Sequence, residues 1–357
     1  MSRRATFMPL RLEIIMFDSK FFHRPLCKVS GFTAALLVAG VAGAADITGA
    51  GATFPYAVYT QWAAAYKAAT QKQVNYQGIG SSGGIKQIKA RTVDFGGTDT
   101  PLKEADLEAS GLVQVPTVMG GVTLVVNLPG IASGKLRLDG TTAADIFRGA
   151  VKRWNAPEIA RQNPTLTLPD LAITIAHRSD GSGTTAAFAD YLARQSTAFR
   201  SDVGVGTTVN WPTNAVGGKG NPGVAANVQK IVGAIGYVDI ADALKNRLPF
   251  VALKNRAGQY IVPSQEAVEA AAVGANFMSK GMAPDLLDPP QATAWPITTA
   301  TYVLAYAKGS SAERQQGVVD FFSWSLNNGQ KMARDLGFVP LPPAVVKMVE
   351  SELKQIR

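Results

Sequence analysis

Along the chain one arrangement of apolar and small residues occurs three times: an apolar strand candidate, a loop of Gly, Ser and Thr, then apolar positions at helical spacing. In the first, a short strand candidate leads into "GAGATFP", Gly49 to Pro55, and Val58, Tyr59, Trp62 and Tyr66 then recur at the spacing of one helix face. Pro55 suits the first helical position, where its missing N–H costs nothing. In the second, Gln73 to Gln77 alternates, "GIGSSGG" follows, and Ile85 and Ile88 continue as a helix. In the third, the apolar strand "LAITIA", Leu171 to Ala176, runs into "RSDGSGTT", Arg178 to Thr185, and Phe188, Tyr191 and Leu192 share one helix face. A further strand and turn, "VDFGGTD", ends on Asp99, and Thr100 and Pro101 open another helical pattern.

Taken alone, the second loop reads as a dinucleotide site. Gly78, Gly80 and Gly83 match G-x-G-x-x-G, and Asp99 lies about 20 positions downstream, where that fingerprint asks for an acidic residue. The N-terminal region argues against it. Arg24 and Lys28 precede a short apolar run, Gly31 to Ala42, and Ala42 to Ala45 offers small residues for cleavage. This is the layout of a secretory signal peptide, predicted over residues 1–45 and cleaved near Ala44–Asp46. The run falls short of the ~20 residues that span a bilayer. Met16 is an alternative start. Export moves the protein away from the cytoplasmic nicotinamide pool, and the two companion loops ask for a shared explanation.

Cleavage also changes the chemistry on offer. Cys27 and His23 are lost, leaving His177 as the remaining histidine and no cysteine. A disulfide, a thiol nucleophile and a zinc site of His and Cys therefore lack material, so neither a metal nor a cofactor is expected. Of the whole chain's net charge of +9, the mature part keeps +5. That charge is scattered, without a basic and aromatic cluster, which argues against nucleic acid and favours approach of an anion. With 357 residues, the chain is long enough for two cores.

Each loop places a helix N-terminus beside small residues. First-turn N–H groups have no partner inside the helix, and the helix dipole adds partial positive charge there. A single such junction is an ordinary capped helix; three of them near Asp99 and Arg178 point to an oxyanion site. On the residues alone, Asp99 reads equally as the cap of the next helix, and Arg178 as a surface residue at a strand end. Asp180 is placed to pair with Arg178 and hold a guanidinium suited to a tetrahedral oxyanion.

The motifs "GAGATFP", "YQGIGSSGG", "VDFGGTD", "SDGSGT", "WPTNAVGGKGN", "GAIGYV" and "AWPITTATYVLAYAK" occur in an order that closely resembles the periplasmic phosphate-binding proteins of phosphate-specific ABC transporters. The resemblance runs from about Asp46 to about Val346. It implies a two-lobed α/β solute-binding fold of type II, with the chain crossing between lobes twice and ligand held in the cleft. The crossings fall near Val122 to Asn127 and near Pro296 to Val303, so lobe one is residues 46–126 with 299–357 and lobe two is 127–298. It implies a phosphate site of Ala52, Thr53 and Phe54 in the first loop, Ser81 in the second, Asp99 at its strand end, and Arg178, Ser182, Gly183 and Thr184 in the third. His177 receives no ligand role. It further implies delivery to membrane permease subunits, no catalytic residue and a monomer.

Within that reading, Asp99 as a carboxylate can only accept. It would take the proton that phosphate retains at neutral pH and that sulfate lacks. The rival readings are a phosphate-ester hydrolase and a receptor for another oxyanion such as sulfate. The hydrolase reading casts Asp99 and Ser182 as base and nucleophile, but "DGSGT" departs from G-x-S-x-G at both outer positions.

Overall fold

The computed structural model describes residues 46–279 and 281–356; the expected signal peptide lies outside them. In chain order the first part contains β1 (Ile47–Gly51), α1 (Tyr56–Thr70), β2 (Val74–Gly78), α2 (Ser81–Lys89), β3 (Phe95–Thr98), α3 (Glu104–Ser110) and the long β4 (Leu112–Val126). The middle contains β5 (Arg137–Leu138), α4 (Gly140–Phe147), α5 (Pro157–Ala160), β6 (Thr174–Arg178), α6 (Gly183–Gln195), α7 (Thr197–Asp202), β7 (Val216–Gly218), α8 (Gly220–Lys230), β8 (Ala234–Asp239), α9 (Ile240–Lys245), β9 (Ala252–Lys254), β10 (Tyr260–Ile261) and α10 (Gln265–Ala272). The chain closes with β11 (Thr298–Tyr306), α11 (Ala312–Asn328), α12 (Gln330–Asp335), β12 (Val339–Pro340) and α13 (Pro343–Leu353).

Among the described residues, nine strands join in the order β2-β1-β3-β11-β4-β8-β6-β7, with β12 also on β4. Strand β4 serves two sheets. Residues Leu112 to Gly121 pair antiparallel with β11, and Val122 to Val126 pair antiparallel with β8. On one side β2, β1 and β3 run parallel; on the other, β8, β6 and β7 do. The fold is thus two-lobed α/β, with each lobe's parallel strands built from β-α-β crossovers. In both lobes the chain steps first to one side of a central strand (β1 or β6) and later to the other. The crevice at such a switch point, outside the carboxyl ends of the strands, is where ligands bind in open α/β sheets.

Packing follows the apolar spacing. Val58, Tyr59, Trp62 and Tyr66 are the buried face of α1. They meet α11, where Tyr59 and Tyr66 pack edge-on against Phe322 and Phe321 at 5.6 and 5.4 Å between centroids. In the second lobe Phe188 of α6 stacks on Tyr237 of β8 at 4.3 Å, with Phe147 beside both. Each such side chain contributes about 1.5–3 kcal/mol by burial. No helix of the described residues is long and apolar enough to cross a membrane.

Three boundaries differ from the sequence pattern. Helix α1 starts at Tyr56, one position later than expected, and Pro55 stands at its cap position. The strand expected at Leu171–Ala176 is β6, shifted to Thr174–Arg178. Its ladder is set by parallel pairing with β7 and β8, while Ala172 instead bridges to Arg153. The helix expected to open at Thr100–Pro101 begins at Glu104, capped by Lys103. Asp99 is therefore not that helix's cap, and its carboxylate has other partners.

Candidate functional site

The strand ends bring the three small-residue loops to one place. Ala52, Thr53 and Phe54 follow β1, Ser81 opens α2 after β2, and Asp99 follows β3. Facing them across the interlobe boundary, Arg178 ends β6 and Ser182, Gly183 and Thr184 open α6. Of the nine residues proposed from the sequence, hydrogen bonds link Ser81 with Asp99 and Gly183, and link Thr53, Arg178 and Thr184 through Asn221; Ala52, Phe54 and Ser182 are their chain neighbours. The polar side chains among the nine are nearly or fully buried: Thr53 is 9% exposed, Asp99 4%, Arg178 4%, and Ser81, Ser182 and Thr184 0%. Clefts of about 540 and 520 Å³ flank the cluster. Thr53, Phe54 and Asp180 line the first; Asp99 and Thr207 line the second.

The lobes touch directly at the cluster. The Gly183 N–H donates to Ser81 Oγ at 3.1 Å, and the Asn221 N–H donates to Thr53 Oγ1 at 3.1 Å. The Ser82 N–H donates to the Gly181 carbonyl at 3.1 Å. Gly183 has no substitute here, because a Cβ at this position would lie 2.7 Å from both Asp99 Cβ and Ser81 Oγ. Gly80, the cap of α2, combines φ 89° with an approach to Asp180 that leaves no room for a side chain.

Arg178 is held rigidly. Its Nε and Nη2 donate to the two carboxylate oxygens of Asp180, the former at 2.8 Å, and its Nη1 donates to Asn221 Oδ1 at 2.6 Å. Those contacts occupy three of the five N–H groups of a guanidinium, so two are left to present to an oxyanion. Asp180 is fixed in turn by the Gly220 N–H at 2.9 Å. Burial works against its ionised form, but the Arg178 contacts outweigh this and hold its carboxyl below the usual range. The Ser182 side chain caps α6 by accepting from the Thr185 N–H at 3.0 Å. That makes Ser182 the cap of α6, while the adjoining Gly183 N–H is directed at Ser81.

Asp99 has the opposite electrostatic setting. Burial pushes its carboxyl up to about 7, against a bond from Thr301 and the nearby Arg178 charge, while Asp239 adds to the rise. Thr301 Oγ1 donates to Oδ1 at 2.8 Å, and Ser81 Oγ stands 3.5 Å from Oδ2. The backbone N–H of Asp99 donates to the same Ser81 oxygen at 3.2 Å.

Sequence reasoning passed over Asn221, Asp239 and Thr301. Asn221 Nδ2 donates to Asp239 Oδ2 at 2.7 Å and lies 3.3 Å from Thr184 Oγ1, so it ties Arg178, Asp239 and Thr184 together. All three sit within or beside motifs already conspicuous in the sequence, "WPTNAVGGKGN", "GAIGYV" and "AWPITTATYVLAYAK". Their proximity to Arg178 and Asp99 is a product of sheet order and carries no local signal. His177, by contrast, turns away: its Nδ1 lies 2.8 Å from the Arg178 carbonyl and its ring packs on Trp211.

Residues 38–328 match the model of the PBP superfamily domain. The chain is 49% identical over 306 residues to the phosphate-binding protein PstS of Xylella fastidiosa (strain 9a5c), covering 85% of this chain and 84% of that one. It is 46% identical over 314 residues to the phosphate-binding protein PstS of Haemophilus influenzae, covering 88% and 94%. Among solved structures, the high affinity periplasmic phosphate-binding protein PfluDING, bound with phosphate, superposes with a TM-score of 0.71 at 24% identity, over 86% of this chain and 93% of that one. A phosphate binding protein from Stenotrophomonas maltophilia does so with a TM-score of 0.66 at 21% identity, over 86% and 94%. The two solved structures share the fold, and the level of identity to the first two relatives carries the assignment further: the chain belongs to the PBP superfamily and, within it, to the PstS family of phosphate-binding proteins.

Proposed function

We propose that this protein captures one inorganic phosphate ion outside the cytoplasm and delivers it to the permease of an ABC transporter, without chemistry on the ion. The observation that carries this reading is a buried carboxylate, Asp99, placed across a lobe boundary from a buried, pre-oriented arginine, Arg178, with helix N-termini on both sides. Arg178, the Ser81 and Thr53 hydroxyls, the backbone N–H of Phe54 and the first-turn N–H of Thr184 supply donors to ionised oxygens. Once ionised, above about pH 7, Asp99 supplies the one obligate acceptor, and it takes the proton of HPO₄²⁻ or H₂PO₄⁻. Sulfate brings no proton and sets two negative oxygens against each other in a site shielded from water. Sites that bond one specific group reject the analogue lacking it by ~10⁴–10⁵.

Closure belongs to the same mechanism. With lobe one as 46–126 plus 299–357 and lobe two as 127–298, the ion touches both, so it binds the closed form better than the open one and shifts the population toward it. The change of partner along β4 at Gly121–Val122 supports a pivot there. The likeness to a periplasmic phosphate-binding protein supports action in the periplasm, where the protein works as a monomer and its closed form is the species the permease meets.

Calorimetric titration of the exported protein, stripped of bound ions, with phosphate and then sulfate tests the reading. One-to-one phosphate binding with no sulfate heat at pH 8 is expected. Equal binding of both ions would turn the protein into a general oxyanion receptor, and hydrolysis of a chromogenic phosphate ester would revive the enzyme reading.

A further inference from the structure

We infer that Thr301 is a positioning residue for phosphate-over-sulfate selection, acting through the orientation and charge state of Asp99; the inference rests on the phosphate-receptor reading above. It begins with a sequence feature that the binding loops do not explain, a proline in the middle of a central strand. Pro116 lies within β4 and cannot donate to the ladder, so a strand interior tolerates it only at an irregularity. The β4–β11 register breaks there: Thr301 pairs with Val118, whereas Tyr302 pairs with Pro116, and Thr117 is the extra residue. Bulges of this kind re-aim side chains.

Across that irregularity stands Thr301, which is fully buried, and the antiparallel β3–β11 register, with Tyr302 opposite Thr98, sets Thr301 beside Asp99 at the end of β3. Its hydroxyl donates to Asp99 Oδ1 at 2.8 Å, a far better contact than the 3.4 Å to the Thr98 carbonyl. The backbone of Thr301 is itself held, because Thr117 Oγ1 donates to its carbonyl at 3.3 Å and shares a 2.7 Å hydrogen bond with Tyr59 Oη. A chain of contacts thus runs from α1 through both of the strands that meet β3 and β8 to the Asp99 carboxylate. Thr301 engages Oδ1, which leaves Oδ2 toward Ser81, whose oxygen accepts from the Gly183 N–H of the opposite lobe.

Fixing one oxygen settles two matters together. It sets which oxygen receives a proton from the ion, and it stabilises the ionised form that can only accept. The groups facing the Asp99 carboxyl are Arg178 from β6, Asp239 from β8, Tyr59 from α1, Tyr76 from β2 and Tyr302 from β11. Of these Arg178 favours ionisation and Asp239 opposes it, and burial opposes it most. Without the Thr301 hydroxyl the balance moves toward a protonated Asp99, which donates to an anion and so accepts sulfate.

The experiment is a sulfate titration from pH 5 to pH 9 on the exported wild type, Thr301→Val, Thr301→Ser and Asp99→Asn, with phosphate binding measured alongside. In the wild type, sulfate binding should appear only as pH falls through the Asp99 titration. In Thr301→Val that profile should move up by about one pH unit, a roughly fivefold gain in sulfate affinity at pH 8 and about tenfold at pH 9, and Thr301→Ser should stay within about twofold of wild type. Should valine fail to fold, Thr301→Ala removes the same hydroxyl without added branching. An unmoved midpoint in the hydroxyl-free variant, or a serine variant that moves as far as valine, overturns the role of Thr301 while Asp99→Asn still relaxes selectivity. A wild type that binds no phosphate, or an Asp99→Asn variant that still rejects sulfate, overturns the receptor reading itself and this inference with it.

Discussion

Replacing Asp99 by asparagine should make the ligand-free protein more stable at alkaline pH while relaxing its selectivity, and the size of the gain follows from burial. The carboxyl moves from an ordinary 3.8 to about 7 in the folded protein, chiefly because it is removed from water. The folded-state value lies above the unfolded one, so proton binding favours folding. That contribution is complete below pH 3.8 and is lost as pH rises through 7. A rise of about three pH units is worth about 4 kcal/mol of differential stability between pH 4 and pH 8. The asparagine side chain would keep an acceptor facing Thr301 without carrying a charge, and would not lose this increment. Urea denaturation of ion-stripped wild type and Asp99→Asn at pH 5 and pH 8 reads the difference directly. The stability of the variant relative to wild type should grow with pH by a few kcal/mol. A difference that does not change with pH would refute the premise that Asp99 is ionised at a desolvated position, and with it the electrostatic account of selection.

Other outcomes follow from the same geometry. Arg178→Lys should fold normally yet lose tenfold to a hundredfold in phosphate affinity, because a point charge cannot keep the Asp180 and Asn221 contacts and still face an oxyanion with two parallel N–H groups; calorimetry checks it. Gly183→Ala should bind phosphate weakly and remain open, since a Cβ has no space against Asp99 and Ser81 in the closed form; small-angle scattering with and without phosphate should then show no compaction. Trp62→Ala should cost ~3–5 kcal/mol in urea unfolding, because the indole is 1% exposed and its N–H donates to the Gly329 carbonyl at 2.9 Å, and its effect on phosphate affinity should be small.

Much of the site was readable before the fold. Gly and Ser between a strand and a helix announce a place where backbone N–H groups are accessible, and that physics is local to each loop. This is also why the second loop resembles a dinucleotide fingerprint: both bring N–H groups to a phosphate group. Thr301, Asn221 and Asp239 were not readable in the same way. A threonine in an apolar strand looks like any β-branched residue, and only the antiparallel register of β11 on β3 brings its hydroxyl to Asp99.

The sequence by itself determined the helix faces and the loops. Val58, Tyr59, Trp62 and Tyr66 had to face a core, and three small-residue turns had to open three helices, because side-chain periodicity and backbone freedom are set within a few residues. It did not determine where β6 begins or that α3 starts only at Glu104, since ladder pairing and cap geometry decide those ends. The tertiary structure alone decided that loops as far apart in the chain as those of Ser81 and Gly183 share one buried cluster. Strand order places the carboxyl ends of β1, β3 and β6 at a common boundary, and only that placement takes Asp99 out of water and sets Arg178 across from it.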